Sequence, residues 1–353
     1  MKSVLFVIGS SQIGGAEKQF CLVANSLRTE LELSLCILGN PGPFRKKYLE
    51  LGLPTFQSSG SYSSDIRVLV RAISETRPKS IVTWLYRADV LGSIFGRILR
   101  VPKVITSARN TVWPSYSPFK RMILVVTNRL FTHSTIANSN KAAAFHQAMG
   151  YSKHKFSTIR NFVQSTHIDK WDESPDYLDK ETTFGIASRP TYGKGHSLAI
   201  SALNELVSSG YKVRLSIAAP KILAWPLIKE FQDHAKFPLI LTDGSDGLDS
   251  WFSSIDIFLA LSEMWDSDSN SLLEAIIREK PVISSLHQAI EDVVDFMICI
   301  PTHSDHDLVQ AIQQIMSMTL SDLRNMSRAL KQALILAREP KNLKQEWLRV
   351  IRG

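Results

Sequence analysis

Two doubly wound α/β domains in tandem are the architecture this 353-residue chain predicts. Short apolar runs of strand length alternate with stretches whose apolar residues recur at helical spacing, over residues 3–140 and again from residue 183. A hydrophobic content of 44% over this length supplies two cores of about 100–200 residues each. Between the two blocks lies THIDKWDESPDYLDKE, acidic, proline-containing and without periodicity, which reads as a linker. The expected division is a first domain over 1–163, a linker over 164–182, a second domain over 183–336 and a terminal helix over 337–353.

In order, SVLFVIG (3–9) is a buried strand by its length and β-branched content. The loop SSQIGG follows, then a helix with Phe20, Val23, Ala24 and Leu27 on one face and Gly14, Gly15 and Glu17 at its start. A bare Gly-Gly turn is weak evidence of function, and it is not the GxGxxG fingerprint. A strand is expected over Leu33–Gly39, a short helix over Lys46–Leu51, and a helix over Ile66–Thr76 with Val70 and Ile73 as its apolar positions. IVTWL (81–85), the Val90–Leu99 helix and VPKVITS (101–107) continue the alternation. ARNTVW then places Arg109 and Asn110 at the carboxyl end of a parallel strand, where such sheets expose functional residues; a surface arginine in a basic region accounts for Arg109 equally. SPFKRMILVVTNRLF carries an apolar stripe of Phe119, Met122, Ile123, Val126 and Leu130 beside Lys120, Arg121 and Arg129, the pattern of a core-facing helix or of one lying on an anionic membrane. STIANSN (134–140) closes the domain.

The second block starts with FGIAS and the loop RPTYGKG, then a helix with Leu198, Ala202, Leu203 and Leu206 on one face. Arg189 and Lys194 stand in that strand-to-helix loop, and two long cations beside glycines suit a diphosphate: Arg offers a planar fork, Lys a mobile point charge. Strands are expected in VRLSIAAP, PLILTDG, SIDIFLAL and PVISS, with helical pattern over Asp307–Arg338 and a last helix over Glu339–Arg352. The stretch from Ile255 to Ser285 is strand, polar loop, helix, strand, a βαβ unit. Its loop delivers unpaired amides and a helix dipole to one spot. Asn270 and Ser271 are candidate caps of the helix, and Glu274 lies one turn in, placed to accept hydrogen bonds from a ribose; a capped helix with an acidic first turn accounts for the same residues.

The stretch DSDSNSLLEAIIREKPVI, Asp266 to Ile283, resembles the donor-site signature EGxxNxxLEAMAxGxPVIAS of the retaining, GT-B type glycosyltransferases of family 4. Asn270, Leu273, Glu274, Ala275, Pro281, Val282 and Ile283 match; Asp266 replaces the first glutamate, Ser267 the glycine, and Glu279-Lys280 the small-residue turn. GGAE after the first strand and the Arg189/Lys194 spacing resemble two further loops of that family, although Ser188 and Gln288-Ala289 stand where glycines are usual. The resemblance implies a GT-B fold, two Rossmann-like domains with a cleft between them and a C-terminal helix crossing back to the first. It also implies transfer of a sugar from a nucleotide-diphosphate sugar to a saccharide or polyprenyl-linked acceptor, with retention of configuration.

On that resemblance, Asp266 holds the sugar, Glu274 the ribose, and Asn270 with Ser267, Ser271 and Leu272 the phosphates. Gly14 and Gly15 approach the sugar and diphosphate, Arg189 and Lys194 carry the departing charge, and Gly244 lies against the base. Arg109, near developing negative charge, and Asn110 face the acceptor side. No cofactor and no essential metal are expected, since cations and helix amides neutralise the leaving group directly. Asp266-Ser267-Asp268 spells the DxD of a different, manganese-dependent class, and His303 with His306 has permissive metal spacing in a polar loop. A nucleotide-sugar epimerase or hydrolase, and a non-catalytic sugar-nucleotide-binding protein, are the rival readings.

The net charge of +8 conceals a split. Residues 1–165 carry 22 Lys+Arg against 7 Asp+Glu, a balance of +15, and residues 166–353 carry 19 against 26, a balance of −7. Between Asp89 and Asp169 eleven basic residues occur and no acidic one. Such a surface attracts anionic lipid, phosphorylated acceptors or nucleic acid; with no aromatic ladder or known module, nucleic acid is not expected. VLFVIG is too short for a signal-peptide core and no run approaches about 18 apolar residues, so a cytoplasmic protein is expected, peripheral at the inner membrane face and serving lipopolysaccharide or other surface-polysaccharide synthesis. Cys21, Cys36 and Cys299 show no metal or disulfide spacing and read as buried reduced thiols.

Overall fold

The computed structural model describes residues 2–110, 117–163, 181–220, 226–245, 247–263, 267–301 and 304–353. Most of the expected linker, residues 164–180, and the candidate Asp266 lie outside the described residues. The chain divides into two compact units: residues 1–162 with 339–353, and residues 163–338.

The first unit alternates β1 (Lys2–Ile8), α1 (Gly15–Leu27), β2 (Leu31–Ile37), α2 (Arg45–Leu49), β3 (Thr55–Gln57), α3 (Tyr62–Thr76), β4 (Ser80–Trp84), α4 (Leu85–Ile98), β5 (Lys103–Ala108), α5 (Pro118–Phe131), β6 (Ser134–Ala137), α6 (Asn140–Ala148) and β7 (Phe156–Thr158). Its seven strands are all parallel, in the order β3-β2-β1-β4-β5-β6-β7. The α1 face works as its spacing predicts: Phe20, Val23, Ala24 and Leu27 are buried against β1 and β2 residues such as Phe6, Ile8 and Leu35. On α3, Leu69, Ala72 and Ile73 are the buried apolar positions and Val70 is only half-buried. That helix starts one turn earlier than its apolar residues announce, because Ser61 caps it by accepting from the Ser64 amide at 3.2 Å. α4 likewise begins at Leu85, with a positive φ of 71° there, immediately after β4.

The second unit contains β8 (Thr182–Ala187), α7 (His196–Ser208), β9 (Val213–Ala219), α8 (Pro226–His234), β10 (Leu239–Asp243), α9 (Asp249–Ser253), β11 (Ile257–Ala260), α10 (Asn270–Ile277), β12 (Val282–Ser285), β13 (Ile298–Ile300), α11 (Asp305–Met316) and α12 (Leu320–Ala337). Its sheet is also all parallel, in the order β10-β9-β8-β11-β12-β13, with a hydrophobic cluster on each face. The helical stretch expected over Asp307–Arg338 is two helices, divided where Thr319 caps α12. Three short strands, β3, β7 and β13, were not expected, since three residues carry no period.

The last helix, α13 (Pro340–Arg352), belongs to the first unit. Pro340 occupies its first turn, where no amide donor is missed. It buries Leu343, Trp347, Leu348 and Ile351, and Lys2 Nζ and Ser80 Oγ donate to the Ile351 carbonyl at 3.0 and 3.3 Å. The indole of Trp347 stacks on Trp84 at the end of β4, with centroids 5.4 Å apart and planes 12° from parallel. Of the cysteines, Cys36 is buried, whereas Cys21 and Cys299 are half-buried; all three are free thiols. Among the described residues no helix is long and apolar enough to cross a membrane.

Candidate functional site

Strand order locates the site of the second unit. The chain starts at β8, runs outward to β9 and β10, then returns to the other flank of β8 with β11, β12 and β13. The loops after β8 and β11 therefore leave the carboxyl edge in opposite directions and open a crevice at the switch point, where open α/β sheets bind ligands. Those loops carry Arg189 and Lys194 on one side and Ser262, Glu263 and residues 267–271 on the other.

The two loops are fastened together. Glu263 N donates to the Gly193 carbonyl at 2.9 Å, and Ser262 Oγ reaches the same oxygen at 3.3 Å. Gly195 has a φ of +78°, and a Cβ there would stand 2.3 Å from both the Cβ and the carbonyl oxygen of Leu261. Only glycine permits so close an approach with that backbone. Arg189 is exposed and Lys194 half-buried. Behind them His196, the first residue of α7, is buried, stacks on Phe231 at 5.5 Å and meets Ser188 Oγ at 3.3 Å through Nε2. Burial, with Lys194 adding to it, lowers its pKa to about 4, so the ring is neutral at pH 7.

In the second loop Ser269 caps α10: its backbone is extended (φ −66°, ψ 117°) and its Oγ accepts from the Leu272 amide at 3.5 Å. This corrects the assignment of capping to Asn270 and Ser271, which are the first two helical residues instead. The first-turn amides are thus carried by these residues, with Ser271 Oγ 3.2 Å from Ser269 Oγ. Leu272 is fully buried in the core, and its amide donates to the Ser269 cap. Glu274 is half-buried one turn into α10, and Ser267 is buried. Both carboxylate oxygens of Asp268 accept from Arg338, at 2.7 and 2.9 Å. His303 lies outside the described residues, and His306 sits in α11 against Gln310 at 3.0 Å. Gly244 closes β10 with its amide 3.1 Å from the Ala219 carbonyl, at the same carboxyl edge but two strands from β8.

The first unit repeats the topology, its switch point lying between β1 and β4. Gly14, extended at φ −169°, precedes α1; Gly15 is exposed, and Glu17 one turn on is buried. At the end of β5, Arg109 is half-buried and held: Nε donates to Ser107 Oγ at 2.6 Å, a terminal nitrogen donates to Asn161 Oδ1 at 2.7 Å, and the guanidinium lies 5.5 and 5.7 Å from the Trp84 and Trp347 rings. Its neighbour Asn110 meets His146 Nε2 at 3.2 Å through both its carbonyl and its Oδ1. Sequence reasoning missed Asp89, which accepts from Thr83 Oγ1 at 2.5 Å. Desolvation raises its pKa to about 7, against the lowering effects of Thr83, the Ser107 backbone and Arg109. A carboxylate at helical position 5 of α4 carries no sequence signal of that environment.

These shifts give opposite pH slopes. His146 and His196, each lowered from 6.5 to about 4, take up fewer protons folded than unfolded in that window. Their contribution is present above pH 6.5 and is lost as pH falls toward 4. Asp89, raised from 3.8 to about 7, contributes stability below pH 3.8 that is lost as pH rises toward 7. In urea unfolding followed against pH, His196→Gln is expected to flatten the acid limb, and Asp89→Asn to relieve the loss toward neutrality.

The α5 stripe faces solvent. Phe119, Met122, Val126 and Leu130 are 65%, 54%, 45% and 64% exposed, while the buried face is Leu124, Thr127 and Asn128. Asn128 Nδ2 donates to Thr135 Oγ1 at 2.7 Å and Thr127 Oγ1 to the Ile123 carbonyl at 2.6 Å, so the polar inward residues are satisfied.

Residues 181–318 match the family described as "Glycosyl transferases group 1". That match spans most of the second unit. Both loops of the crevice lie within the matched residues. Among curated proteins, none matches the sequence significantly. Solved structures similar along the whole chain include Anabaena HepE in complex with UDP and glucose, with 15% identity over 99% of each chain and a TM-score of 0.81. A Rickettsia africae glycosyltransferase has 16% identity over 99% of this chain and 98% of its own, with a TM-score of 0.78. A Staphylococcus aureus TarM variant in complex with Fondaparinux, α-GlcNAc-glycerol and UDP has 10% identity over 100% of both chains, with a TM-score of 0.76. The shared fold is that of GT-B glycosyltransferases.

Proposed function

We propose that the protein is a retaining family 4 hexosyltransferase that moves a sugar from a nucleotide-sugar donor to a saccharide or polyprenyl-linked acceptor in surface polysaccharide or glycolipid synthesis. The observation that carries this reading is the pair of fastened loops at the switch point of the group 1 domain, bearing Arg189, Lys194 and the start of α10. Two cations and helix amides aimed at one crevice stabilise a departing diphosphate, whose charge grows as the glycosidic bond breaks. Glu274 holds the ribose, the Asn270 and Ser271 amides the phosphates, and Asp266 the sugar; no divalent ion is essential. UDP is the nucleotide expected first, because HepE and TarM were solved with it.

Melting temperature measured with EDTA against UDP-, GDP-, ADP-, CMP- and dTDP-sugars tests this. Ligand at about 100 times its Kd stabilises by about 2.7 kcal/mol, a rise of about 5–10 °C for a domain of this size. A UDP-sugar is expected to give that rise, and Lys194→Ala to abolish most of it. No shift with any donor at millimolar concentration sinks the reading.

The outward stripe of α5 supports an anionic bilayer as the second partner, at the cytoplasmic face. Lys120, Arg121 and Arg129 flank the four exposed apolar side chains, within the span of eleven basic and no acidic residues. Each basic residue near an anionic surface contributes about 1 kcal/mol. Replacing all three with glutamine is therefore expected to lower partitioning onto phosphatidylglycerol vesicles by about 100-fold, and Phe119→Ser to lower it at high salt as well. Unchanged cosedimentation of the triple variant would remove α5 as the contact.

A further inference from the structure

Ser262, Asp268 and Ser269 are held by two side chains that sequence spacing does not connect to them. Gln288, buried in the loop after β12, accepts from the Ser262 amide through Oε1 at 2.8 Å and donates from Nε2 to Ser269 Oγ at 2.9 Å. It therefore clamps both ends of the loop that leads from β11 to α10. Arg338, the residue after α12, is 1% exposed, and its fork grips both oxygens of Asp268 while Nε donates to Asp292 Oδ2 at 3.0 Å. One guanidinium thus ties the loop after β11 to the loop after β12. Both holds converge on the residue that caps α10 and the one before it, and so aim the first-turn amides of Asn270 and Ser271.

A buried ion pair is a poor device for stability alone, because desolvating its charges offsets their attraction. What a bidentate fork supplies is orientation. We propose that Gln288 and Arg338 are positioning residues that set Ser262 and residues 268–271 in their ligand-binding geometry before a ligand arrives. The proposal rests on the reading of this loop as half of a nucleotide-sugar site. A loop ordered in advance gives tighter binding, since its ordering is not charged against association.

The full-length protein is compared with Gln288→Met, Gln288→Glu, Asp292→Asn, Arg338→Lys and Arg338→Met. Amide hydrogen exchange is followed in the absence of ligand, and UDP and UDP-glucose affinities by calorimetry. Gln288→Met is expected to speed exchange at Ser262 and at 270–272 at least tenfold and to weaken UDP-glucose at least tenfold, with β8 and β9 protection unchanged. Gln288→Glu, which keeps an acceptor for the Ser262 amide, restores that amide's protection and part of the affinity. Arg338→Lys, charged but without the fork, falls between wild type and Arg338→Met; should Arg338→Met not fold, Asp292→Asn reports the same tie. Unaltered loop exchange in Gln288→Met and Asp292→Asn overturns the proposal, as does full affinity in a variant whose loop has loosened. A wild-type protein that binds no nucleotide-sugar overturns the function proposed above instead, and ligand-free exchange then decides whether these side chains hold the loop.

Discussion

Gly195→Ala is expected to destabilise the second unit by about 2–5 kcal/mol and to remove nucleotide-sugar binding. Two costs combine. A non-glycine residue at a φ of +78° pays about 1–2 kcal/mol, and overpacking against a neighbour that cannot move adds about 1–3 kcal/mol. The neighbour is the backbone of Leu261, one residue past β11, which is paired on both sides by β8 and β12. Relief must come from the 188–195 loop, which would lift Arg189 and Lys194 away from Ser262 and Glu263. Gly210→Ala is the control, because its φ is +92° but nothing lies within 4 Å of the added Cβ. It should show the backbone cost of about 1–2 kcal/mol and bind donor normally. Urea unfolding with donor titration separates the two; equal effects at the two sites would mean that the loop contact does not matter.

Trp347→Ala is expected to remove about 3–5 kcal/mol from the first unit, the usual cost of deleting a large buried aromatic. The ring is fully buried, stacks on Trp84, and forms with it the surface over which the Arg109 guanidinium lies. Its loss loosens α13, which is then held by buried Leu343, Leu348 and Ile351 and by the Lys2 and Ser80 bonds to the Ile351 carbonyl, while the Lys344 and Arg352 pairs with Glu30 at the surface add little. Trp347→Phe should recover most of the stability. Because the chain has two units, unfolding is best followed by probes in each, and only the first unit's transition should move. A shift confined to the second unit would contradict the placement of α13.

Arg109 illustrates how such packing changes a functional expectation. The residue stands at the strand end where the alternating pattern predicts it, but its nitrogens engage Ser107 and Asn161 and its face meets two indoles. It organises the carboxyl edge of the first sheet. Any contact with a reacting sugar would have to be made from that fixed position.

What the sequence by itself determined is whatever has a local period or a local chemical necessity. The apolar face of α1, the runs of the central strands, the glycine-flanked cations at 189–194 and the strand–loop–helix unit around 255–285 were all legible, because each is written within about 30 consecutive residues. Tertiary structure alone decided three things. The direction of the α5 stripe depends on what packs beneath that helix: periodicity left it open, and the buried, hydrogen-bonded Thr127 and Asn128 take the inward face and leave Phe119 and Leu130 outward. The cap of α10 falls on Ser269 among three adjacent residues all able to cap, because only the folded backbone fixes which of them is extended. And the hold of Arg338 on Asp268 joins side chains 70 positions apart, a separation across which neither charge pattern nor spacing carries information, since the sheet brings the loop ends together only after its strands have paired.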